Sequence, residues 1–170
     1  MPEEDIEIIP ALLEDQPVLA NLLELYIHDF SSFFDLKLGP DGRFGYSRLP
    51  LYWTESGRYP FLIRVGGQLA GFALVRRGSE ISDDENVWDI AEFFIARGFR
   101  RRGVGGRAAH RLWRQFPGQW EIRVYDQNQP ANAFWTYTVT TFLGKRAFPA
   151  AITQDVKPSH VFSFRSGDPS

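Results

Sequence analysis

The chain contains no cysteine, which excludes a disulfide framework, a thiolate nucleophile and any cysteine-based metal site. Histidine is scarce too: the three present include no pair at metal-ligand spacing, so no metal centre is expected. No apolar run approaches the roughly 18 residues of a membrane span, and the opening Met1-Pro2-Glu3-Glu4-Asp5 is acidic where a secretory leader is basic. A cytoplasmic location without a membrane partner is the expectation. The net charge of −2, from 19 basic and 21 acidic residues, gives bulk electrostatics no reason to draw in nucleic acid.

What the chain has is core material. Of its 170 residues 44% are apolar and 15% aromatic, enough for a single domain over 1–170. Residues 6–9 form a candidate strand. Asp15 is placed to cap a helix whose Leu19, Leu22, Leu23, Tyr26 and Ile27 share one face and which frays near 30–34. Residues 35–60 carry Gly39-Pro40-Asp41-Gly42, Gly45, Pro50, Gly57 and Pro60, a density that predicts a long, aromatic-rich loop. Two apolar runs, 61–65 and 69–76, meet at Gly66-Gly67, the signature of a tight antiparallel hairpin. A polar turn then leads to a strand at 88–96, a helix that Pro117-Gly118 stops, and a strand at 120–125. Asn128 can cap a last helix with Pro130 in its first turn. Thr136, Thr138, Val139, Thr140 and Thr141 make the end of that helix a poor one, so 142–148 and 160–164 read as closing strands. Together these elements imply an α+β fold, a mixed sheet with helices on its faces.

The most informative stretch is Phe93-Phe94-Ile95-Ala96-Arg97-Gly98-Phe99-Arg100-Arg101-Arg102-Gly103-Val104-Gly105-Gly106: an apolar run, then arginines, then glycines. Ala109, Leu112, Trp113 and Phe116 follow at helical spacing, with Arg107, His110, Arg111 and Arg114 opposite, so the glycines open a helix. Glycine permits positive φ and close backbone approach. The unpaired N–H groups of a first helical turn suit a polyphosphate, to which nearby arginines add charge-assisted bonds. The plainer alternatives are a simple connector and a solvated arginine run. Gly103, Gly105 and Ala108 also satisfy a dinucleotide fingerprint, with Asp126 ending a strand about 20 residues later. In that fold, however, the first glycine follows its strand almost at once, whereas residues 97–102 intervene here and a hairpin precedes.

Over roughly residues 6–164 the chain resembles the GNAT superfamily of acyl-CoA-dependent N-acyltransferases. Arg100, Gly103 and Gly105 match its motif of Arg or Gln, two residues, Gly, one residue, then Gly or Ala, with the apolar strand ahead of it. Gly71-Phe72-Ala73 matches its second hairpin strand, and Asn128, Ala131 and Phe134 match the start of its last helix. The resemblance implies a mostly antiparallel sheet of six to seven strands, splayed between those at 88–96 and 120–125. It implies acetyl-CoA as co-substrate and direct attack, in a ternary complex, by a primary amine of a small molecule or peptide. A homodimer is compatible with it. The alternatives are a non-catalytic acyl-CoA-binding domain and, less well matched, an NAD(P)-binding protein.

Residue by residue, the resemblance implies that backbone groups at Phe94 and Ile95 hold the pantetheine arm, which Asn128 also touches. Arg100, Arg101, Arg102, Gly103, Val104, Gly105 and Gly106 hold the pyrophosphate. Asp89 and Glu92 are the candidate bases, with Asp89 at the family's usual acidic position; in a regular strand they point to opposite faces. The plainer reading is that either carboxylate pairs with an arginine. The family's usual tyrosine proton donor is replaced by Trp135, leaving Tyr125 as a candidate and water as another. Acceptor selection falls to Tyr26, His28, Asp29 and Trp53, with Phe33, Phe34, Tyr46, Tyr52 and Tyr59 around them. These could form an aromatic cage for a cation, or could simply be core.

Overall fold

The computed structural model describes residues 4–153 and 157–167. Seven strands form one sheet: β1 (Ile6–Pro10), β2 (Arg58–Val65), β3 (Gln68–Arg77), β4 (Trp88–Ile95), β5 (Gly118–Tyr125), β6 (Ala150–Ile152) and β7 (Ser159–Ser166). Their order is β1-β2-β3-β4-β5-β7-β6. The helices are α1 (Gln16–Phe30), the short α2 (Leu51–Thr54), α3 (Val104–Gln115) and α4 (Gln129–Leu143). β1 runs antiparallel to β2, and β7 antiparallel to both β5 and β6. β4 lies parallel to β5, with Trp88 opposite Trp120 and Asp89 opposite Glu121. This is the mixed, mostly antiparallel α+β arrangement expected. A doubly wound dinucleotide fold, built on parallel strands, is excluded.

The hairpin follows from its turn. Gly66 (φ 56°) and Gly67 (φ 80°) both take positive φ, as a two-residue primed turn requires if the strands are to keep their right-handed twist. β2 begins at Arg58 rather than Phe61, because the loop that 35–60 was expected to form gives way first to α2.

Two compact units make up the chain: residues up to Val75 together with Glu92–Val104, and Arg76–Ala91 together with residues from Gly105 on. In the first, α1 lays Leu19, Leu22 and Leu23 on Leu62 of β2, Phe72 and Leu74 of β3 and Phe94 of β4. Phe61, Ile63, Ala73 and Val75 are buried too, so β2 and β3 are covered on both faces. In the second, Trp113 of α3 is fully buried. Its ring lies 5.0 Å from Phe142, 4.7 Å from Phe164 and 6.2 Å from Trp135.

Two local expectations are corrected. Asp15 does not cap α1 through its side chain; the carboxylate accepts from the Leu12 amide at 2.9 Å and so closes a preceding 3-10 turn. The glycines do open α3, with Gly105 and Gly106 in its first turn. Residues 142–148 are not a strand: α4 runs to Leu143, stops at a left-handed Gly144 (φ 70°), and β6 begins only at Ala150. The β-branched residues are retained in α4 because Thr138 and Val139 are buried and the Thr141 hydroxyl bonds back to the Tyr137 carbonyl at 2.9 Å. Tertiary packing outweighs a few tenths of a kcal/mol of propensity per residue, about the size of the β-branched penalty.

Gly71 lets β3 approach β4 closely. A Cβ there would lie 2.0 Å from the Phe94 carbonyl oxygen, a distance no side chain tolerates, and 3.1 Å from the Ile95 Cα. Gly71→Ala is therefore predicted to cost on the order of 2 kcal/mol or more by pushing β4 away at the strand end that carries Phe94 and Ile95. Urea unfolding of the variant beside wild type checks this, and an unchanged midpoint would contradict the close approach.

Candidate active site

The chain between Ile95 and α3 is held by Arg100. Its Nε donates to the Ile95 carbonyl at 2.6 Å and its Nη2 to Asp29 at 2.9 Å, while the guanidinium lies 5.5 Å from the Phe94 ring centroid. Arg97 reaches the other oxygen of Asp29 at 3.0 Å. Burial raises the Asp29 pKa, but Arg100 and Arg97 outweigh it and hold the carboxyl below its ordinary range. Asp29, expected to select the acceptor, thus clasps the two arginines that flank the loop. Arg100, expected at phosphate, braces the strand exit. Arg102 bonds the Gly98 carbonyl at 2.6 Å and pairs with Glu4 at 2.5 Å.

The backbone ahead of α3 takes an unusual course. Arg101 has φ 62° and Gly103 φ 74°, so alternate residues take the left-handed conformation just ahead of α3. Such turns direct successive N–H groups into a concavity that favours anions. At Arg101 this costs roughly 1–2 kcal/mol, the penalty a side chain meets there, and such strain is characteristic of functional loops. Val104 is buried and anchors the helix start, and the first turn of α3 has no acidic residue. Phe94 contributes its ring to the core, 6.2 Å from Tyr26 and 5.9 Å from Phe72, so only its backbone could meet a pantetheine arm. The Ile95 carbonyl already accepts from Arg100 but keeps a second lone pair, and the Ala96 amide is used on Ala70 at 2.8 Å.

The candidate bases differ in their partners. Asp89 accepts from Arg76 at 3.0 Å, both side chains being largely buried at 15% and 13% exposure. Burial nevertheless prevails over Arg76, and the carboxyl is pushed up to about 7. Glu92 instead receives the Tyr46 hydroxyl at 3.4 Å, a long contact from a residue that no spacing in the sequence ties to it. Burial first, then the Glu92 carboxylate, drive the Tyr46 phenol far above its ordinary value.

The expected substrate residues divide. Tyr26, Tyr46 and Trp53 pack on the cluster formed by Leu19, Leu22, Tyr52, Phe72 and Phe94, with the Trp53 indole donating to the Ala11 carbonyl at 3.0 Å. His28 is exposed, its ring 6.4 Å from that of Phe44. These residues are therefore not gathered into one cage: Tyr26, Tyr52 and Trp53 are chiefly core. The second unit holds the remainder. Asn128 caps α4, its Oδ1 accepting from Ala131 at 3.1 Å, which leaves Nδ2 as the donor it could offer a cofactor. Tyr125 ends β5, its hydroxyl accepting from Arg123 at 2.9 Å. Trp135 is buried against Trp113 and Phe134, so it replaces the usual tyrosine with a core residue. Among the described residues no metal-binding cluster occurs, and no helix is long and apolar enough to cross a membrane.

The model of the acetyltransferase (GNAT) family matches residues 19–137, more than half the chain. The chain belongs to the GNAT family of acetyltransferases, enzymes that draw their acyl group from acyl-CoA and pass it to an amine; it is an acetyl-CoA-dependent acyltransferase. Solved structures share the fold at low identity. An acetyltransferase from Thermus thermophilus superposes with a TM-score of 0.68 at 16% identity, covering 97% of this chain and 99% of that one. Spermidine N-acetyltransferase from Vibrio cholerae, solved with CoA and spermine, gives 0.67 at 10%, with 95% of each chain covered. An aminoglycoside acetyltransferase in complex with coenzyme A gives 0.69 at 12%, again with 95% of each covered. No curated protein matches in sequence.

A pH prediction separates Asp89 from an ordinary surface carboxylate. Its folded pKa lies near 7, raised from 3.8, so the folded state binds the extra proton. Stability from this group is full below pH about 4 and falls as pH rises through about 7. The melting temperature of wild type should therefore decline relative to Asp89→Asn between pH 4 and 8. Parallel profiles for the two proteins would contradict the buried assignment.

Proposed function

We propose that the chain transfers the acetyl group of acetyl-CoA to a primary amine of a small molecule or peptide by direct attack in a ternary complex. The observation that carries the cofactor half is the loop of alternate positive φ at Arg101 and Gly103 opening on an acid-free helix start. Amides of residues 101–106 would hold the pyrophosphate, with Arg101 and Arg107 adding charge from outside the Asp29 clasp. Backbone at Phe94 and Ile95 would guide the pantetheine arm. CoA supplies the activated acetyl thioester; the chain's own residues bind it, receive the acceptor and help move its two protons, one to a base and one to the departing thiolate.

Acetylation needs the amine neutral, since an ammonium has no lone pair, and a base within reach of its proton contributes typically 10²–10⁴-fold. Glu92 is the better-placed candidate. It lies three residues before Ile95, about 10 Å along a strand at roughly 3.3 Å per residue, while Asp89 lies about 20 Å back. Asp89 remains the alternative, because a carboxyl near pH 7 is tuned for proton uptake. For the departing thiolate Trp135 can supply nothing, which leaves Tyr125 or water.

Release of free thiol from acetyl-CoA with a polyamine, an aminoglycoside and an amino-terminal tetrapeptide tests the activity; no turnover with any amine counts against it. The cradle is tested separately. Gly105→Trp should retain the fold's melting temperature without ligand but lose the CoA-induced rise, which for wild type at 100 Kd of ligand corresponds to about 2.7 kcal/mol. An undiminished rise in the variant would sink the cradle assignment.

A further inference from the structure

The loop expected to be irregular is tied down at one point. Glu24 of α1 accepts from the Phe44 amide at 2.8 Å, the Gly45 amide at 2.9 Å and the Arg43 Nε at 3.3 Å. Burial raises the Glu24 pKa, but these three donors outweigh it and leave the carboxyl below its ordinary value. Within the loop the Gly39 amide donates to the Arg43 carbonyl at 2.7 Å and the Gly42 amide to Gly39 at 2.9 Å. Gly42 and Gly45 take φ of 78° and 77°, as so tight a closure requires. The next residue is Tyr46. Its carbonyl starts the turn into α2 by accepting from Leu49 at 3.2 Å, and its ring packs on the apolar cluster under α1. The phenol is thereby fixed from both sides, with its hydroxyl 3.4 Å from Glu92 Oε1. Arg48 and Tyr52 also face it electrostatically.

We infer that Tyr46 is a positioning residue for the reaction, held by the Glu24-clamped loop so that its hydroxyl donates to Glu92 Oε1 and fixes the orientation of the carboxylate that takes up the proton. The inference rests on the reading of Glu92 as the base. A glutamate carboxylate rotates in a broad well about its last torsion, and a donor on one oxygen holds the other in place. Toward the carboxylate the phenol is the donor, because burial and that neighbouring carboxylate keep it protonated at any pH where an amine is acetylated. Tyr46 keeps its own proton throughout: one proton passes from the substrate ammonium to Glu92, the freed lone pair forms the C–N bond at the thioester carbon, the C–S bond breaks to release the thiolate, and the second nitrogen proton passes to that thiolate through Tyr125 or water. The contact is long in the ligand-free fold, as catalytic hydrogen bonds often are before substrate draws them in.

The test is a double-mutant cycle on the full chain, with acetyl-CoA and whichever of spermine, an aminoglycoside or an amino-terminal tetrapeptide turns over fastest. Glu92→Gln should lower kcat about 10²-fold or more. Tyr46→Phe should lower it roughly tenfold, the loss of about one hydrogen bond of 1–1.5 kcal/mol, with KM for acetyl-CoA unchanged. In the Glu92→Gln background Tyr46→Phe should change kcat by less than about twofold, because its effect passes through Glu92. Glu24→Gln, which loosens the loop without touching Tyr46, should lower kcat in the same direction and be equally silent beside Glu92→Gln. Full activity of Glu92→Gln would overturn the base reading itself and return that role to Asp89. A Glu92→Gln variant slowed as expected, with an unaffected Tyr46→Phe or with additive losses in the double variant, would overturn the positioning role alone. No turnover with any amine would remove both.

Discussion

The hydrogen bond from Arg100 to the Ile95 carbonyl, completed by the pair of Asp29 with Arg100 and Arg97, is the constraint on which the site depends. A strand must end and a helix must begin within a few residues. In the proposed reading, backbone groups of the α3 start and of the turn before it would meet a pyrophosphate. Tying Arg100 to the last carbonyl of β4 turns the chain through a side chain. Asp29, at the last turn of α1, then pairs with two of the guanidiniums. The left-handed Arg101 is the local cost of that turn.

The two candidate bases have different surroundings. Asp89 and Glu92 stand three residues apart on one strand, yet they meet different partners. Asp89 lies in a buried pair with Arg76, where desolvation wins over the cation. Glu92 faces a phenol carried in by a loop that α1 clamps through Glu24. Two carboxylates of one element thus acquire different chemistry from what surrounds them.

Much of this is legible in the sequence, and where it is not the reason is physical. The Gly66-Gly67 turn fixes the hairpin because only residues tolerating positive φ satisfy it. The Gly103-Val104-Gly105 helix start and the Asn128 cap are legible because each is a local, short-range device. The length of α4 is not, since burial of Thr138 and Val139 against distant elements overrides local propensity. In sequence Trp135 reads as a lost proton donor, but its packing on Trp113 of α3 makes it part of the core. The arginine run reads as a phosphate clamp. Its orientation depends on Asp29, which lies 71 positions before Arg100. The Tyr46 to Glu92 contact spans 46 positions, and no periodicity encodes it; only the cluster of glycines around Asp41 hints that the loop is built rather than slack.

Amide chemical-shift mapping of nitrogen-15-labelled protein titrated with CoA tests the central claim most directly. The backbone amides of residues 101–106 should show the largest and saturable changes, while the Arg100 side-chain resonance, already committed to Ile95 and Asp29, moves little. Saturable binding that leaves the amides of 101–106 unmoved would contradict the account.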